Sequence, residues 1–338
     1  MSVVAQSTRP PRSARLFLCG DIMTGRGIDQ VLAHPCDPTL HEDYVASAND
    51  YVGLAEQANG PIPRPAEPSY VWGAALDELD RMQPDARIIN LETAITRSDD
   101  YVRKGINYRM SPENAECLSA AGIDCCVLAN NHVLDWGRSG LLQTLATLER
   151  HIPRNWAATA DNPGVNLLTR LSEAEALRAA EYIVSVKQPG DLAIVSLHWG
   201  SNWGYEIPDE QQRFARTLID RANVSIIHGH SSHHAKAIEV YRKRLILYGC
   251  GDFLNDYEGI HGYEEFRSDL ALMYFADIEP ATGNLAASEI IPLQIRKFRL
   301  DRPSKQDVEW LQGTLQRECK PFETDIVLDP DGRLVLSL

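Results

Sequence analysis

The chain of 338 residues contains no Cys-x-x-Cys pair, and its seven cysteines (19, 36, 117, 125, 126, 250 and 319) are odd in number and scattered. That spacing argues against a zinc ribbon and against a disulfide framework. Cys19, Cys125, Cys126 and Cys250 lie in apolar strand-like runs, as buried free thiols do. No run of about 18 apolar residues occurs, so no membrane span is expected. The first fifteen residues, MSVVAQSTRPPRSAR, hold no apolar stretch of signal-peptide length, and the expected location is cytoplasmic. Basic residues are the minority, 33 against 47 acidic, for a net charge of −14. Nucleic acid and anionic membranes are poor general partners for such a surface. A small anionic substrate remains compatible where a metal supplies local positive charge. Internal repeats and low-complexity segments are absent.

What is present suits a soluble α/β protein of one large domain or two ordinary ones. Short apolar runs predict strands at 15–19, 86–91, 123–129, 192–197, 224–227, 237–241 and 245–248, with more near 270–278 and 286–295. Helical spacing falls at 25–33, 70–82, 112–121, 141–150, 173–187, 208–221 and 305–318. Residues 151–171 read as irregular. Residues 35–69, rich in Pro, Asp and Asn, read as a long excursion outside the core. Asp329-Pro330-Asp331-Gly332 marks a terminal hairpin. Runs alternating with helices predict a mostly parallel sheet, whose ligand crevice lies off the carboxyl ends of the strands.

Those strand ends carry the chemistry. The runs finish in Asp21, in Asn90 and Glu92, in Asn130-Asn131-His132, in His198, and in His228-Gly229-His230-Ser231-Ser232-His233-His234. The last stretch gathers four of the ten histidines into seven residues. Each residue alone has an ordinary alternative. An Asp after a strand is commonly a helix N-cap, Asn pairs suit turns, and a histidine beside Trp199 can be a satisfied core residue. Their recurrence at five strand ends is the signal. Carboxylates, an amide and imidazoles without thiolate select Mn, Fe, Zn or Mg rather than a structural zinc site. Such a site suits phosphoester hydrolysis, because metals lower the pKa of the nucleophilic water.

The blocks GDIMTGRGID, INLETAIT, GINYRMSPENAECLSAAGID, LANNHVLDWG, SLHWGSNW and IHGHSSHHAKAIEVYRKRLILYGCGDFLND, in that order, resemble the poly-gamma-glutamate capsule biosynthesis (CapA/PgsA) family over residues 14–300. That family in turn resembles calcineurin-like metallophosphoesterases. The resemblance implies a four-layer α/β/β/α sandwich over 14–300, a C-terminal extension at 301–338 packed on it, and a disordered N-terminus at 1–13. It implies one or two divalent ions (Mn, Fe or Zn) on Asp21, Glu92, Asn131, His198, His230 and His233. It gives Asn131 and His132 catalytic roles, with His132 assisting the leaving group. Arg109 and Arg26 are the implied substrate-binding residues, with a surface helix position as the alternative for Arg26. His228 and His234 are left as supporting or structural residues. Asp252 and Asn255 support the site or serve packing. The implied partner is a small anionic or phosphorylated substrate, or polyglutamate.

The chain departs from the pattern twice. The phosphoesterase first motif is Asp-x-His, where this chain has Asp21-Ile22-Met23, which removes an imidazole from one metal position. The family also continues past the 140–150 helix with a Gly-rich loop and a further apolar strand. Here Glu149-Arg150 runs straight into His151-Ile152-Pro153-Arg154-Asn155-Trp156, as if a few tens of residues and one strand were missing. The functional expectation is a metal-dependent phosphoesterase-like hydrolase linked to capsule polymer synthesis. A non-catalytic accessory protein of polymer synthesis or export is the alternative.

Overall fold

The computed structural model describes residues 9–151, 168 and 170–337. In chain order the strands are β1 (Ala14–Ile22), β2 (Ala86–Leu91), β3 (Ala94–Ile95), β4 (Arg109–Met110), β5 (Cys125–Val127), β6 (Ile194–His198), β7 (Ile226–His230), β8 (Ile238–Tyr241), β9 (Arg244–Leu247), β10 (Asp252–Leu254), β11 (Leu270–Ile278), β12 (Leu285–Arg296), β13 (Arg299–Asp301), β14 (Asp325–Leu328) and β15 (Leu334–Ser337). The helices are α1 (Gly27–Val31), α2 (Ala48–Asn59), α3 (Ala74–Met82), α4 (Glu116–Ala120), α5 (Gly137–His151), α6 (Glu173–Val186), α7 (Asp209–Ala222) and α8 (Lys305–Cys319). Among the described residues no helix is long and apolar enough to cross a membrane.

The strands form two sheets, apart from the short pair β3–β4. The larger runs β14-β15-β12-β11-β1-β2-β5, with β10 beside β1 and β13 beside β12. The smaller runs β6-β7-β9-β8. Side-chain alternation along β1 explains how they stack. Phe17 and Cys19 enter a core shared with α1 to α5. Leu16 and Leu18 enter a second core with Ile226, Leu245 and the helices α6, α7 and α8. His228 of β7 meets the Cys19 carbonyl at 2.8 Å, so that face of the small sheet looks at the large one. On the opposite face Trp199 packs edge-on against Phe214 of α7. The layers are therefore helix, sheet, sheet and helix, the four-layer sandwich.

The large sheet is mixed, not mostly parallel. β1, β2, β5 and β10 pair in parallel, while β11, β12, β13, β14 and β15 pair antiparallel. The physical reason is connectivity. β11, β12 and β13 follow one another through short turns, which permit only antiparallel neighbours. Residues 35–69 also depart from expectation, because α2 lies there. Ser47 caps it by accepting from the Asn49 amide, and Tyr51, Val52 and Ala55 are buried. At the other end of the chain, β15 pairs with β12 and α8 buries Leu311, Leu315 and Cys319. Of the segment read as irregular, 152–167 and 169 lie outside the described residues, as do 1–8 of the N-terminal segment. Among the described residues, β5 and β6 are the outermost strands of their sheets, and all their residues are half-buried.

Phe17 is fully buried between Phe253 and Phe275, with ring centroids at 6.0 and 5.5 Å. Phe17→Ala should cost about 3–5 kcal/mol in urea unfolding. Tyr182→Ala, at a position 63% exposed on α6, should stay within about 0.5 kcal/mol.

Candidate metal centre

Parallel strands end side by side, and register decides what meets there. Asp21 lies opposite Asn90 on β2 and opposite Asp252 on β10, and His198 lies opposite His230. The β1–β2 register shifts between Leu18 and Asp21. Gly20 sits in that irregularity against the backbone of Gly251. A Cβ there would fall 1.6 Å from the Gly251 carbonyl oxygen, so only glycine lets the strands close.

Asp21 is buried and held by two donors. Asn90 Nδ2 donates to Oδ1 at 2.6 Å, and the Ser231 amide donates to Oδ2 at 3.1 Å. Ser231 takes φ of 104° to deliver that amide, a strained conformation for a residue with a side chain. His230 Nδ1 lies 3.6 Å from Asp21 Oδ1 and 3.0 Å from His198 Nδ1. Asp21, His198 and His230 each offer a ligand atom within 4.8 Å of the others.

A relay fixes the tautomer of His230. The Cys19 carbonyl can only accept, so His228 Nε2 donates to it at 2.8 Å. Neutral His228 then accepts at Nδ1 from Ser196 Oγ, 3.1 Å away. Ser196 Oγ in turn accepts from His230 Nε2 at 2.8 Å. That leaves His230 Nδ1 unprotonated, turned toward Asp21 and accepting from His198 Nδ1. Second-layer bonds orient metal-binding imidazoles in this way. Burial, then neighbouring imidazoles and Lys104, bring His198 down to about 3, and burial holds His230 well below its ordinary value. Both are uncharged, as ligands must be.

The carboxylates tell the same story from the opposite sign. Burial, then the Asp252 charge, raises Asp21 to about 7. Burial, then Asp21, holds Glu92 well above the usual carboxylate range. Glu92 Oε2 is buried without a hydrogen-bond partner. Its Oε1 lies 3.7 Å from His132 Nε2 and 3.9 Å from His198 Nε2. Buried carboxylate oxygens facing neutral nitrogens form a donor set that fits a divalent cation.

The remaining expected residues divide. His132 reaches the site, with Nδ1 tied to Asp135 at 2.8 Å and Nε2 toward Glu92. His233 sits to one side. Its Nδ1 pairs with Asp252 at 3.0 Å and its Nε2 meets Asn202 at 3.2 Å. Burial opposes its charge, but Asp252 prevails and its pKa is raised. Asn131 is exposed, and its carbonyl accepts from Lys104 at 2.6 Å. The amide turned inward is that of Asn130, which donates to Asn90 Oδ1 and the Leu91 carbonyl and accepts from the His132 amide. Arg26 is buried between Glu42 and Asp256 and stacked over Tyr51 and Tyr108, so its fork is already filled. Arg109 pairs with Asp99 and lies 4.0 Å over Trp136. Neither guanidinium is open to an anion. Met23 is buried, with its sulfur near Tyr257 Oη.

Three contributors escaped the sequence reading. Ser196 was within reach, since strand alternation puts it on the face of His198. Asp135, three residues after His132, accepts from the Tyr108 amide and His132 and pairs with Lys104 at 2.6 Å. Lys104 carries no sequence signal at all.

The architecture and the cluster define a four-layer α/β protein with a carboxylate–imidazole centre at its strand ends. The family model described as bacterial capsule synthesis protein PGA_cap matches residues 15–153 and 149–257, and the chain belongs to that family. A protein of Mycobacterium tuberculosis (strain H37Rv), named a probable polyglutamine synthesis accessory protein, is 42% identical over 365 positions, covering 96% of each chain. Since 96% of 338 residues is about 324, about forty of those positions have no counterpart here. The two pieces of the family match meet at 149–153, where the sequence reading put a missing block. The PGA biosynthesis protein CapA of Bacillus subtilis is 24% identical over 287 positions, covering 74% of this chain and 71% of that one. Among solved structures, a novel phosphatase of Mycoplasma pneumoniae covers 86% of this chain and 95% of its own at a TM-score of 0.44 and 13% identity. That likeness is too loose to bear on function.

The raised Asp21 has a consequence for metal-free protein. Folded Asp21 keeps its proton up to about 7, whereas the unfolded residue loses it near 3.8. Its stabilising contribution is complete below 3.8 and declines as pH rises toward 7. After chelation, the melting temperature of Asp21→Asn relative to wild type should therefore climb across this interval. Parallel profiles for the two proteins would contradict the assignment.

Proposed function

We propose that this chain is a divalent-metal-dependent hydrolase of the phosphoesterase type that serves capsule polymer synthesis. The observation that carries this reading is the convergence of Asp21, His198 and His230 beside a partnerless oxygen of Glu92. Bound Mn, Fe or Zn would supply an activated water and neutralise charge on a phosphoryl group. Asp21, Glu92, His198 and His230 are the residues that would hold it, with His233 keeping Asp252 in place beside them. Asn90 and the Ser231 amide keep the Asp21 carboxylate oriented. The Cys19–His228–Ser196 relay keeps His230 Nδ1 unprotonated. His132, braced by Asp135, presents Nε2 on the side of Glu92 and handles the proton of the leaving oxygen. Lys104 clamps Asp135 and the Asn131 carbonyl, which steadies that histidine. The substrate is a small phosphorylated compound, and the site of action is the cytoplasm.

A second reading, a non-catalytic accessory protein of polymer synthesis or export, draws on Met23, which stands where the phosphoesterase motif has histidine. The two separate in one assay. Mn-loaded protein should hydrolyse a phosphomonoester or phosphodiester such as p-nitrophenyl phosphate or its bis-ester. Chelation should abolish turnover, and Glu92→Ala and His198→Ala should each lower kcat/KM by about 100-fold or more with the fold retained by circular dichroism. Absence of turnover with every metal supplied would leave the accessory reading.

A further inference from the structure

A groove of 540 Å³ opens beside the centre, and His233 and Asn255 stand in its wall. Asn255 donates to Asp252 at 2.8 Å, so one residue of the groove wall is bonded to the carboxylate next to Asp21. Its walls are aromatic. Trp203 and Tyr263 stack face to face, with centroids 4.1 Å apart and planes parallel. Trp203 also packs against His234 and Phe266, at 6.1 and 5.5 Å. Tyr263 stays 49% exposed, and Tyr44, also in the lining, 66%.

Each arginine along the groove already has a carboxylate partner and is not free for a polyanion. Arg26 is neutralised by Glu42 and Asp256, and Arg267 by Asp269 and Asp307. Arg296 lies beside Glu258. Of the lining carboxylates, Glu258 and Asp269 are the partners of Arg296 and Arg267, and Glu264 is a further one, on a chain whose net charge is −14. Carboxylates repel a polyglutamate segment but accept from hydroxyl groups. Aromatic faces carry negative potential and attract the slightly positive C–H face of a saturated ring. The exposed ring of Tyr263, held in place by Trp203 and bordered by acceptors, therefore matches a neutral, hydroxyl-rich ring.

We propose that this groove binds a sugar ring, the part of the substrate remote from the phosphoryl group. The inference rests on the phosphoester reading above for the phosphoryl half alone. Two experiments keep the two claims apart. In the first, Mn-loaded wild type, Trp203→Ala and Tyr263→Ala are assayed on glucose 6-phosphate and on glycerol 3-phosphate, which lacks a ring. Each variant should lose roughly tenfold more kcat/KM on the sugar ester than on the glycerol ester, mainly through KM. Equal losses on both esters would overturn the proposal. In the second, an unphosphorylated disaccharide, maltose, is titrated calorimetrically into the three proteins without any ester. Wild type should bind it, and the variants roughly tenfold more weakly. Tyr263, exposed at the rim, provides a variant expected to fold as wild type does. Maltose binding without turnover of either ester would retain the groove and remove the phosphoesterase reading. Failure to bind maltose, or displacement of maltose by an oligoglutamate, would overturn the groove assignment.

Discussion

Three buried carboxylates, Asp21, Glu92 and Asp252, meet at the strand ends, and the rest of the centre follows from that fact. Like charges at such separations cannot all ionise in a low-dielectric interior. Two of them hold their protons far above the ordinary range when no cation is present. The imidazoles opposite them are pushed the other way, toward neutrality. One cation would reconcile both sets, letting the carboxylates ionise while the imidazoles keep their lone pairs. His233 and Lys104 are the compensating charges the protein supplies itself, and each is tied to one carboxylate, Asp252 and Asp135.

The scaffold serves this convergence. Parallel strands bring Asp21, Asn90 and Asp252 abreast, and the small sheet brings His198 and His230 over them from the other side. Contact between the sheets also carries the hydrogen-bond relay, because the Cys19 carbonyl that anchors His228 belongs to the large sheet and the histidines to the small one. Fold and tautomer are thus coupled. A change that separates the sheets would also free the His230 ring. About forty positions of the mycobacterial relative have no counterpart in this chain, yet the centre lies at the ends of strands that this chain keeps.

Much of this was legible in the residues themselves. Strand-terminal Asp21, Glu92, His132 and His198 stood out because apolar runs stop abruptly at residues of one chemical kind, whereas the family resemblance singled out His230 within its cluster. β2 was read to the residue, since its flanks change character sharply. The failures have physical causes. Whether Asn130 or Asn131 turns inward depends on turn geometry that two identical side chains cannot announce. The fates of Arg26 and Arg109 were set by Glu42, Asp256, Asp99 and Trp136, partners that only tertiary packing brings near. His233 went to Asp252 for the same reason. The helix at 48–59 was hidden by its Asn, Asp and Gly content, although Tyr51, Val52 and Ala55 carry helical spacing. The antiparallel half of the large sheet was missed because short apolar runs say nothing of direction until their connections are counted.

The most direct test of the account is metal content by mass spectrometry after loading with Mn or Zn and desalting, for wild type, His230→Ala and His233→Ala. The account predicts bound metal in wild type, near-complete loss in His230→Ala, and substantial retention in His233→Ala, because His233 faces Asp252 rather than the Asp21–His198–His230 group. Equal metal in wild type and His230→Ala would contradict it.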